Sequence, residues 1–304
     1  MNIGIFGVGS FGIKHINVIK DIKEFNIVGF FDPDKKRSKK IENEFNLKAY
    51  NSILELLNVC EIVDIVSDTK SHYDLINLSI KYKKHIFIEK PVCTSISEVE
   101  NLLKKHKNYN KTIQVGHIER YNPVLKNKLV DFNNILSISS NRMGCLNERN
   151  KNVSLILDLM IHDIDLMIFM IKSDIQKINI IENKKTLLNH KIKCQIIFQN
   201  RKTVELKVER GENTKNNRTM TINYLNKQIK LDFLNKSIQK ISPLKNDLDV
   251  LNHNDDYNAL EKEFLDFKKN IQNKTQPLVT LEIGCKVVKI ALEIEKKIND
   301  DTNN

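Results

Sequence analysis

Residues Asn2–Gly12 read Asn-Ile-Gly-Ile-Phe-Gly-Val-Gly-Ser-Phe-Gly, and the fold of the chain is decided in this stretch. Its first five residues are mostly apolar, which predicts a buried parallel strand. The strand leads directly into the Gly-x-Gly-x-x-Gly pattern at Gly7–Gly12, and isoleucines then recur at helical spacing. A second apolar run ends at Asp32, about 20 residues beyond the last glycine. This order of strand, glycine turn, helix, strand and acid predicts dinucleotide binding.

The three glycines of the turn meet three requirements of pyrophosphate binding. Gly7 permits the tight turn from strand to helix, Gly9 lets a phosphate approach the backbone, and Gly12 lets the helix pack closely on the strand. The helix begins near Ser10 and Phe11, and the N–H groups and positive partial charge of a helix start favour phosphate. We expect all five residues to contact the cofactor.

Asp32 lies at the predicted end of the second strand, where it can accept hydrogen bonds from both ribose hydroxyls of an adenosine. A carboxylate at this position repels a 2′-phosphate, which favours NAD. Lys35, Lys36 and Arg37 follow closely and can bind such a phosphate, so NADP remains the alternative. Further residues expected to contact the cofactor follow the third and fourth predicted strands: Ser67, Thr69, His72, Glu89 and Lys90.

The length of 304 residues allows one or two domains with a substantial core. No run approaches the ~18 consecutive apolar residues of a transmembrane helix, and the N-terminus has no signal-peptide pattern, so we expect no membrane span. The five cysteines are scattered and form no Cys-x-x-Cys pair. Their pattern predicts reduced thiols in a cytoplasmic protein, with neither disulfides nor a zinc site.

The net charge of +11 raises the question of nucleic-acid binding. The lysines, however, are spread along the whole chain, in a composition rich in Asn, Ile and Lys. We therefore interpret the charge as a solvated basic surface and expect no nucleic-acid partner. A positive field also suits a phosphorylated, anionic substrate.

Strand and helix alternate along the first part of the chain, which predicts a doubly wound parallel sheet, the Rossmann fold. Beyond it, several strand-like segments alternate apolar and polar residues, which indicates an open, largely antiparallel sheet. We predict an α/β chain with an NAD-binding Rossmann domain at 1–120 and an α+β domain for substrate binding and oligomerisation at 121–304. The strands predicted in the second domain are Ile135–Ser140, Lys177–Ile181, Lys193–Phe198, Thr203–Glu209, Thr219–Tyr224 and Gln228–Phe233. Helices are predicted at Leu155–Ile171, Tyr257–Asn270 and Leu281–Ile298, and a loop-rich segment at Leu234–Asp256.

Glu89-Lys90-Pro91 directly follows the predicted strand Ile86–Ile88. The carboxyl end of a parallel strand faces the ligand crevice, so Lys90 is expected near the nicotinamide. There it can hydrogen-bond a substrate hydroxyl or move its proton, while Pro91 stiffens the turn and is compatible with a cis peptide bond. The alternative is a surface lysine in an ordinary loop.

Asp158 and His162 are four residues apart in a predicted helix, so they share a face, and Asp165 lies near it. A carboxylate beside an imidazole is typical of a catalytic base with an orienting partner. The alternative is a capping acid and a histidine that packs in the core.

The segment Gln114–Pro123 joins the two predicted domains, and polar residues at such junctions often contact ligands. Arg120 and Asn122 can bind an anionic or polar substrate, and ordinary hydrogen bonding at the junction is the alternative. A metal site is a further alternative, built from His117, Glu119, Asp158 and His162. Only the last two share helical spacing, and no His-Glu-x-x-His is present, so we expect no metal.

Four segments resemble the Gfo/Idh/MocA oxidoreductases in their order and separation: Gly7–Gly12, Phe31–Asp34, Glu89–Pro91 and Asp158–His162. The resemblance covers nearly the whole chain. It implies a Rossmann domain with an open-faced α+β domain, often assembled as homodimers or homotetramers. It also implies catalytic roles for Lys90, Asp158 and His162.

Within that family, Gly116–Pro123 and Asp158–Asp165 are most similar to a branch of nucleotide-sugar 3-dehydrogenases. These act on UDP-N-acetylglucosamine and prepare the 3-amino sugar of some lipid A molecules. Arg142 and Val208–Arg210 lie where the branch has arginine-bearing stretches, so the resemblance adds Arg142 to the expected substrate-binding residues. Val153–Leu155 stands where many other family members have a glycine-rich turn, which agrees with the branch.

The resemblance leads to one principal hypothesis, which is NAD-dependent oxidation of the C3 hydroxyl of UDP-N-acetylglucosamine. His162 takes the proton, Lys90 stabilises the alkoxide, and Asp158 orients His162 or anchors a neighbouring hydroxyl. A coupled aminotransferase is a possible partner. The alternatives are another sugar, a sugar acid or inositol as substrate, a reductive reaction, or a catalytically silent NAD-binding sensor or scaffold.

Overall fold

The computed structural model describes residues 1–148, 150–151, 153–242, 245–252 and 257–302, with backbone alone described at 242, 245–252 and 301–302. The chain divides into two compact units. The first comprises Met1–Ile118 and Asn258–Val288, and the second comprises Glu119–Tyr257 and Lys289–Asn304.

The first unit contains five parallel strands, β1 (Asn2–Phe6), β2 (Asn26–Phe31), β3 (Ile62–Ile65), β4 (His85–Glu89) and β5 (Ile113–Gly116). Their order in the sheet is β2-β1-β3-β4-β5. The helices between them are α1 (Ser10–Ile19), α2 (Lys35–Phe45), α3 (Ile53–Val59), α4 (Thr69–Lys81) and α5 (Ile96–His106). This architecture confirms the predicted doubly wound sheet. Its strand order reverses between β1 and β3, and ligands of such folds bind beyond the carboxyl ends of the strands at this point.

The strands of this sheet are apolar because helices cover them. All four residues of β3 are buried, and so are the last four of β1. A strand covered on both faces gains from burying apolar side chains, so its sequence is a nearly continuous apolar run. This physical requirement is why the five strands could be recognised from sequence.

A second sheet forms the core of the second unit, and eight strands of it lie among the described residues. They are β6 (Ser137–Cys145), β7 (Ile175–Lys185), β8 (Asn189–Phe198), β9 (Thr203–Gly211), β10 (Asn217–Asn223), β11 (Gln228–Asp232), β12 (Ser237–Ser242) and β13 (Lys245–Asn252). Their order is β13-β12-β11-β10-β6-β9-β8-β7. Among these described strands, β6 and β9 pair in parallel and the other neighbours pair antiparallel. The predicted, largely antiparallel sheet is therefore confirmed.

The prediction of a loop-rich segment at Leu234–Asp256 is wrong where β12 and β13 lie. Both strands are mostly polar, and β13 is at the edge of the sheet, where one side lacks a neighbouring strand. Edge strands need few apolar side chains and are often charged, so their sequences resemble loops. Residues 243–244 and 253–256 of the predicted loop lie outside the described residues.

The helix predicted at Leu155–Ile171 has two parts. Residues Ile156–Met160 form a π-helix, and α6 (Ile161–Ile171) continues from it. A π-helix adds a residue to the helical turn and is found frequently at functional sites. Asp158 lies in this π-helix, which the sequence did not predict.

Two helices complete the described chain, α7 (Ala259–Asn273) and α8 (Leu281–Thr302). The first unit includes α7, because Leu260, Phe264 and Phe267 pack in the same buried cluster as the isoleucines of β1. This differs from the predicted division, which assigned all of 121–304 to the second domain. None of the helices in the described ranges is long and apolar enough to cross a membrane.

Candidate functional site

The glycine turn between β1 and α1 has little room for side chains at two of its three glycines. Gly7 has a φ of +95°, and a Cβ there would lie 2.6 Å from the Cα of Ser67. A Cβ on Gly12 would lie 2.2 Å from the carbonyl oxygen of Gly7. A Cβ on Gly9, in contrast, would meet no atom within 4 Å. Gly9 therefore borders open space, whereas the other two glycines permit close backbone packing.

This open space fits the pyrophosphate of a dinucleotide. Gly9 is the N-cap of α1, and no side chain caps the helix there. No acidic residue lies in the first turn, so the positive end of the helix dipole is not offset. Ser10 and Phe11 are exposed at the same end. A phosphate beside Gly9 can approach the backbone N–H groups without meeting a side chain at that position.

Asp32 follows β2 and is held next to the glycine turn. Its carboxylate accepts the N–H of Val8 at 2.9 Å and the N–H of Asp34 at 2.9 Å. Arg37 of α2 also donates to its two oxygens, at 3.0 and 3.2 Å, and is 45% exposed. The ribose hydroxyls of an adenosine and the Arg37 guanidinium therefore compete for the same carboxylate.

We expect Arg37 to affect the choice between NAD and NADP. Arg37→Gln removes the cation beside Asp32, so NADP affinity should fall about 10-fold, since a hydrogen bond to a charged group contributes about 1.5–3 kcal/mol. NAD affinity should stay constant or rise, because Asp32 loses a competing donor. Fluorescence titration with both cofactors measures this, with Lys39→Gln, a helix neighbour paired to Glu42, as the control. An unchanged NADP affinity in Arg37→Gln would contradict the expectation.

Lys90 directly follows β4 and so lies at the carboxyl ends of the parallel strands, as predicted. The peptide bond between Lys90 and Pro91 is cis. His72 of α4 is buried, and its ring nitrogens lie 2.9 Å from the Pro91 carbonyl oxygen and 3.0 Å from that of Ser67. Burial lowers the pKa of His72, and the hydrogen bonds to these two carbonyl oxygens oppose that change. His72 thus connects the loops that follow β3 and β4, and its contact with a cofactor stays a prediction.

The remaining residues predicted to contact the cofactor also lie at the carboxyl ends of the parallel strands. Ser67 follows β3, and its hydroxyl lies 2.7 Å from that of Ser71. Thr69 is the first residue of α4. Glu89 ends β4 and accepts the backbone N–H of Lys90 at 3.2 Å. The structure therefore brings these residues to the carboxyl ends of the parallel strands, where ligands of such folds bind. Their contacts with a cofactor stay predictions.

Asp158 and His162 are both partly exposed on the helical segment of the second unit. Asp158 accepts a hydrogen bond from the guanidinium of Arg210, a buried residue of β9. Arg210 also donates to the carbonyl oxygens of Asn150 and Val153, at 3.0 Å each. One arginine thus holds both Asp158 and the segment that leads into the π-helix.

The other charged residues around this segment are buried in ion pairs. Arg142 of β6 donates to both carboxylate oxygens of Asp163 at 3.0 Å and to Glu119 at 3.0 Å. Arg120 donates to Asp165 at distances from 2.7 to 3.0 Å. All five side chains are buried, so these contacts satisfy charges inside the fold. Substrate contact by Arg120 and Arg142 stays a prediction.

Asn122 is also buried and has partners within the second unit. Its amide donates to the Glu119 carboxylate at 3.3 Å and to the Phe233 carbonyl oxygen at 3.1 Å. These bonds match the alternative that we considered for Asn122, hydrogen bonding within the fold, and its contact with substrate stays a prediction. Asp165, which we expected near the face of His162, is completely buried against Arg120 instead.

Within the described ranges, no group of three or more His, Cys, Asp or Glu side chains is placed to hold a metal ion. Two residues of the metal alternative have arginine partners. Glu119 accepts from Arg142 at 3.0 Å and from Arg218 at 3.4 Å, and Asp158 accepts from Arg210. Arginine neutralises these carboxylates in the way that a metal ion would.

A cavity of about 680 Å³ lies beside the π-helix in the second unit. Lys151, Lys185 and Arg210 are among its lining residues, together with the carboxylate of Glu295. The pKa of His190, also in the wall, is lowered by burial and by the charges of Lys185 and Arg210. Two of these cations have carboxylate partners, Lys151 with Glu148 and Arg210 with Asp158.

Three features of these two sites were not predicted from the sequence. They are the π-helix, the bond between Arg210 and Asp158, and a buried pair of His15 and Asp64 beneath Glu89. Asp64 interrupts the apolar run of β3, and His15 lies on the buried side of α1. A charged residue in a strand that must be fully buried is a signal for a buried partner.

Residues 1–117 match the model of a family described as the Gfo/Idh/MocA oxidoreductase family, with an NAD-binding Rossmann fold. UDP-N-acetylglucosamine 3-dehydrogenase from Acidithiobacillus ferrooxidans is 27% identical over 171 residues, which cover 56% of this chain and 54% of that protein. Myo-inositol 2-dehydrogenase from Thermotoga maritima is 24% identical over 191 residues, covering 59% and 57%. The chain spans about half the length of the curated relatives it matches.

Solved structures match over almost the whole chain. That of UDP-N-acetylglucosamine 3-dehydrogenase from Acidithiobacillus ferrooxidans has a TM-score of 0.88 at 22% identity, covering 97% of this chain and 96% of that one. Levoglucosan dehydrogenase in complex with NADH has a TM-score of 0.84 at 16% identity, covering 97% and 96%. At such identities the likeness concerns the fold alone.

Proposed function

Because residues 1–117 match the Gfo/Idh/MocA oxidoreductases, which have an NAD-binding Rossmann fold, we propose that this chain is an NAD-dependent enzyme. The reaction that we propose is the oxidation of a secondary alcohol of a sugar. The substrate that we propose is UDP-N-acetylglucosamine, whose C3 hydroxyl becomes a ketone. Bound NAD supplies the acceptor for the hydride that leaves the alcohol carbon. The hydroxyl proton leaves separately and needs a base.

The exposure of Asp158 and His162 is the main support for this function. In the fully described segment Asp158–Asp165, these two side chains are partly exposed, whereas Asp163 and Asp165 are buried against arginines. The Asp158 carboxylate lies in the π-helix and the His162 imidazole in the first turn of α6, and π-helices are found frequently at functional sites. The buried acids of the same segment serve its packing.

His162 is the proposed base, because an imidazole ring changes protonation near neutral pH. Asp158 orients His162 or anchors a neighbouring sugar hydroxyl, and Arg210 keeps its carboxylate in place. Lys90 hydrogen-bonds the reacting oxygen, and its positive charge stabilises the alkoxide that develops there. The proton thus passes to His162 as the C–H bond breaks and the carbonyl forms.

Two observations support a nucleotide sugar over a free sugar. The cavity beside the π-helix has two lysines in its lining, Lys151 and Lys185, which could bind phosphate groups. A curated relative acts on UDP-N-acetylglucosamine, although it is only 27% identical over about half of its length. Myo-inositol 2-dehydrogenase, at 24% identity, is the reason to test a free cyclitol as well.

A substrate screen tests this function. UDP-N-acetylglucosamine, other UDP-sugars, a UDP-sugar acid, free N-acetylglucosamine and myo-inositol are supplied with NAD, and the absorbance of the reduced cofactor is followed. A glutamate-dependent aminotransferase in the mixture removes the ketone and drives the reaction forward. We expect the fastest reduction with UDP-N-acetylglucosamine. A faster reaction with another compound would correct the substrate, and binding of NAD without turnover of any compound would favour a silent sensor or scaffold.

We also propose that the chain forms a homodimer or homotetramer in the cytoplasm and acts together with an aminotransferase. Exposed leucines on the second unit support assembly: Leu187 is 96% exposed and Leu188 57% exposed at the turn between β7 and β8, and Leu225 is 83% exposed. Large exposed apolar side chains favour contact with another copy. Light scattering during size-exclusion chromatography measures the assembly, and a monomer at micromolar concentration would contradict it.

A further inference from the structure

His15 is buried in the first unit between two carboxylates. Its Nδ1 lies 3.0 Å from Asp64 of β3, and its Nε2 lies 3.4 Å from Glu89, the last residue of β4. His15 is 1% exposed and Asp64 is 0% exposed. The rings of Phe87 and Phe264 pack edge-on against the imidazole, with centroids at 5.9 and 5.3 Å. The pair is therefore shielded from water.

The geometry favours a protonated imidazole. A neutral ring carries one N–H, and its other nitrogen would face an ionised carboxylate with a lone pair. A protonated ring can donate to both carboxylates, Asp64 and Glu89, that face its two nitrogens. Burial opposes this charge, but Asp64 and Glu89 outweigh it and raise the pKa of His15 to about 10. His15 is accordingly a cation at neutral pH.

Glu89 links this buried cation to Lys90. One carboxylate oxygen of Glu89 faces His15, and the other accepts the backbone N–H of Lys90 at 3.2 Å. Gly116 on the neighbouring strand leaves the space for it, since a Cβ there would lie 2.8 Å from the Glu89 oxygen. The position of the Glu89 side chain is thus determined from two sides.

We propose that His15 is a positioning residue for the oxidation: it holds the Glu89 carboxylate, and Glu89 in turn holds the backbone from which Lys90 reaches the substrate. The role of Lys90 rests on the proposed function. A buried ion pair that served stability alone could be replaced by neutral groups with no effect on the reaction. Here the contacts of His15 and Glu89 instead connect α1, β3 and β4 to Lys90, the residue that follows β4.

Kinetics of His15→Gln separate positioning from stability. We expect kcat to fall about 10-fold or more, with KM and NAD affinity within about 3-fold of wild type, because misplacement of a catalytic group mainly affects the reaction step. The matched control is His85→Gln at the other end of β4, where the imidazole accepts the N–H of Thr112 at 3.0 Å. His85→Gln should lower the melting temperature and leave kcat unchanged. A wild-type kcat in His15→Gln would overturn the proposal.

The charge of His15 can be measured without any substrate. With the pKa raised from 6.5 to about 10, His15 stabilises the fold fully below pH about 6.5, and this stabilisation is lost as the pH rises through about 10. The groups that face it are Asp64 and Glu89, with Lys90 next to Glu89. The difference in melting temperature between wild type and His15→Gln should therefore narrow from pH 7 to above pH 10. Histidine ¹⁵N spectra that show a neutral His15 ring at pH 8 would overturn the proposal.

A last experiment keeps this proposal separate from the proposed function. If the wild-type protein oxidises no sugar, the proposed function fails, and the effect of His15 on Lys90 is then read from chemical labelling. Lys90 acetylation by a pulse of acetic anhydride is compared by mass spectrometry in wild type and His15→Gln, with Lys84, which donates to the Cys60 carbonyl oxygen, as the internal standard. If His15→Gln does not fold, Gly116→Ala displaces Glu89 instead and is labelled in the same way. A several-fold change in the Lys90 rate relative to Lys84 is expected, and an unchanged ratio would overturn the proposal.

Discussion

Lys90→Ala is expected to lower kcat for sugar oxidation about 100- to 1000-fold, the range that follows removal of one group that stabilises a developing oxyanion. Lys90 follows β4 and lies at the carboxyl ends of the parallel strands, where ligands of such folds bind. No other lysine is adjacent to it in the sequence. Lys90→Ala removes an ammonium group. This group is the proposed positive charge nearest to the alkoxide that forms as the proton leaves. NAD affinity should stay within about 3-fold of wild type, because the glycine turn and Asp32 bind the other end of the cofactor.

The matched control for this variant is Lys84→Ala. Lys84 precedes β4 at the amino ends of the parallel strands and donates to the Cys60 carbonyl oxygen at 2.7 Å. It has no proposed part in the reaction, so kcat should be unchanged. Wild-type turnover in Lys90→Ala would show that another residue stabilises the alkoxide. A loss of NAD binding equal to the loss of kcat would show that Lys90 acts mainly by binding the cofactor.

Gly9→Ala and Gly12→Ala should have different effects, because the first weakens NAD binding and the second destabilises the fold. A Cβ on Gly12 would lie 2.2 Å from the Gly7 carbonyl oxygen, so α1 must move and the fold is destabilised by about 1–3 kcal/mol or more. A Cβ on Gly9 meets nothing within 4 Å, so the melting temperature of Gly9→Ala should match wild type. That methyl group occupies the space proposed for the pyrophosphate, and NAD affinity should fall at least about 100-fold, a loss of about 2.7 kcal/mol.

Thermal unfolding and NAD titration of both variants measure these effects. The comparison is informative because the same added methyl group is tested at two positions of one turn. Gly9→Ala that retains wild-type NAD affinity would show that the pyrophosphate does not approach Gly9. A Gly12→Ala protein as stable as wild type would show that α1 can move away from the turn at little cost.

Much of the fold could be predicted because burial leaves a pattern in the sequence. Parallel strands such as β1 are buried on both faces and are therefore nearly continuous apolar runs, while β9 alternates buried and partly exposed residues in a sheet with one covered face. Both patterns predict strands. The strands β12 and β13 cannot be predicted in this way, because polar strands near a sheet edge bury little and resemble loops.

The site could be predicted less completely, because sequence does not show which charges meet in space. Arg142 was expected to bind substrate, and the structure buries it against Asp163, a partner 21 residues away. The pairing of His15 with Asp64, 49 residues apart, has the same long-range character. The spacing of Asp158 and His162, in contrast, is local, so their neighbourhood on one helical segment could be inferred. A π-helix at this position depends on packing and has no local sequence signal.

Transfer of deuterium tests the central claim most directly. UDP-N-acetylglucosamine deuterated at C3 of the sugar is incubated with the wild-type protein and NAD, and the mass of the reduced cofactor is measured, with the C4-deuterated compound as the control. If the C3 hydroxyl is oxidised, one deuterium appears in the reduced cofactor from the C3-labelled sugar and none from the C4-labelled sugar. Reduced cofactor without deuterium from the C3-labelled sugar, or no reduction at all, would contradict the proposed reaction.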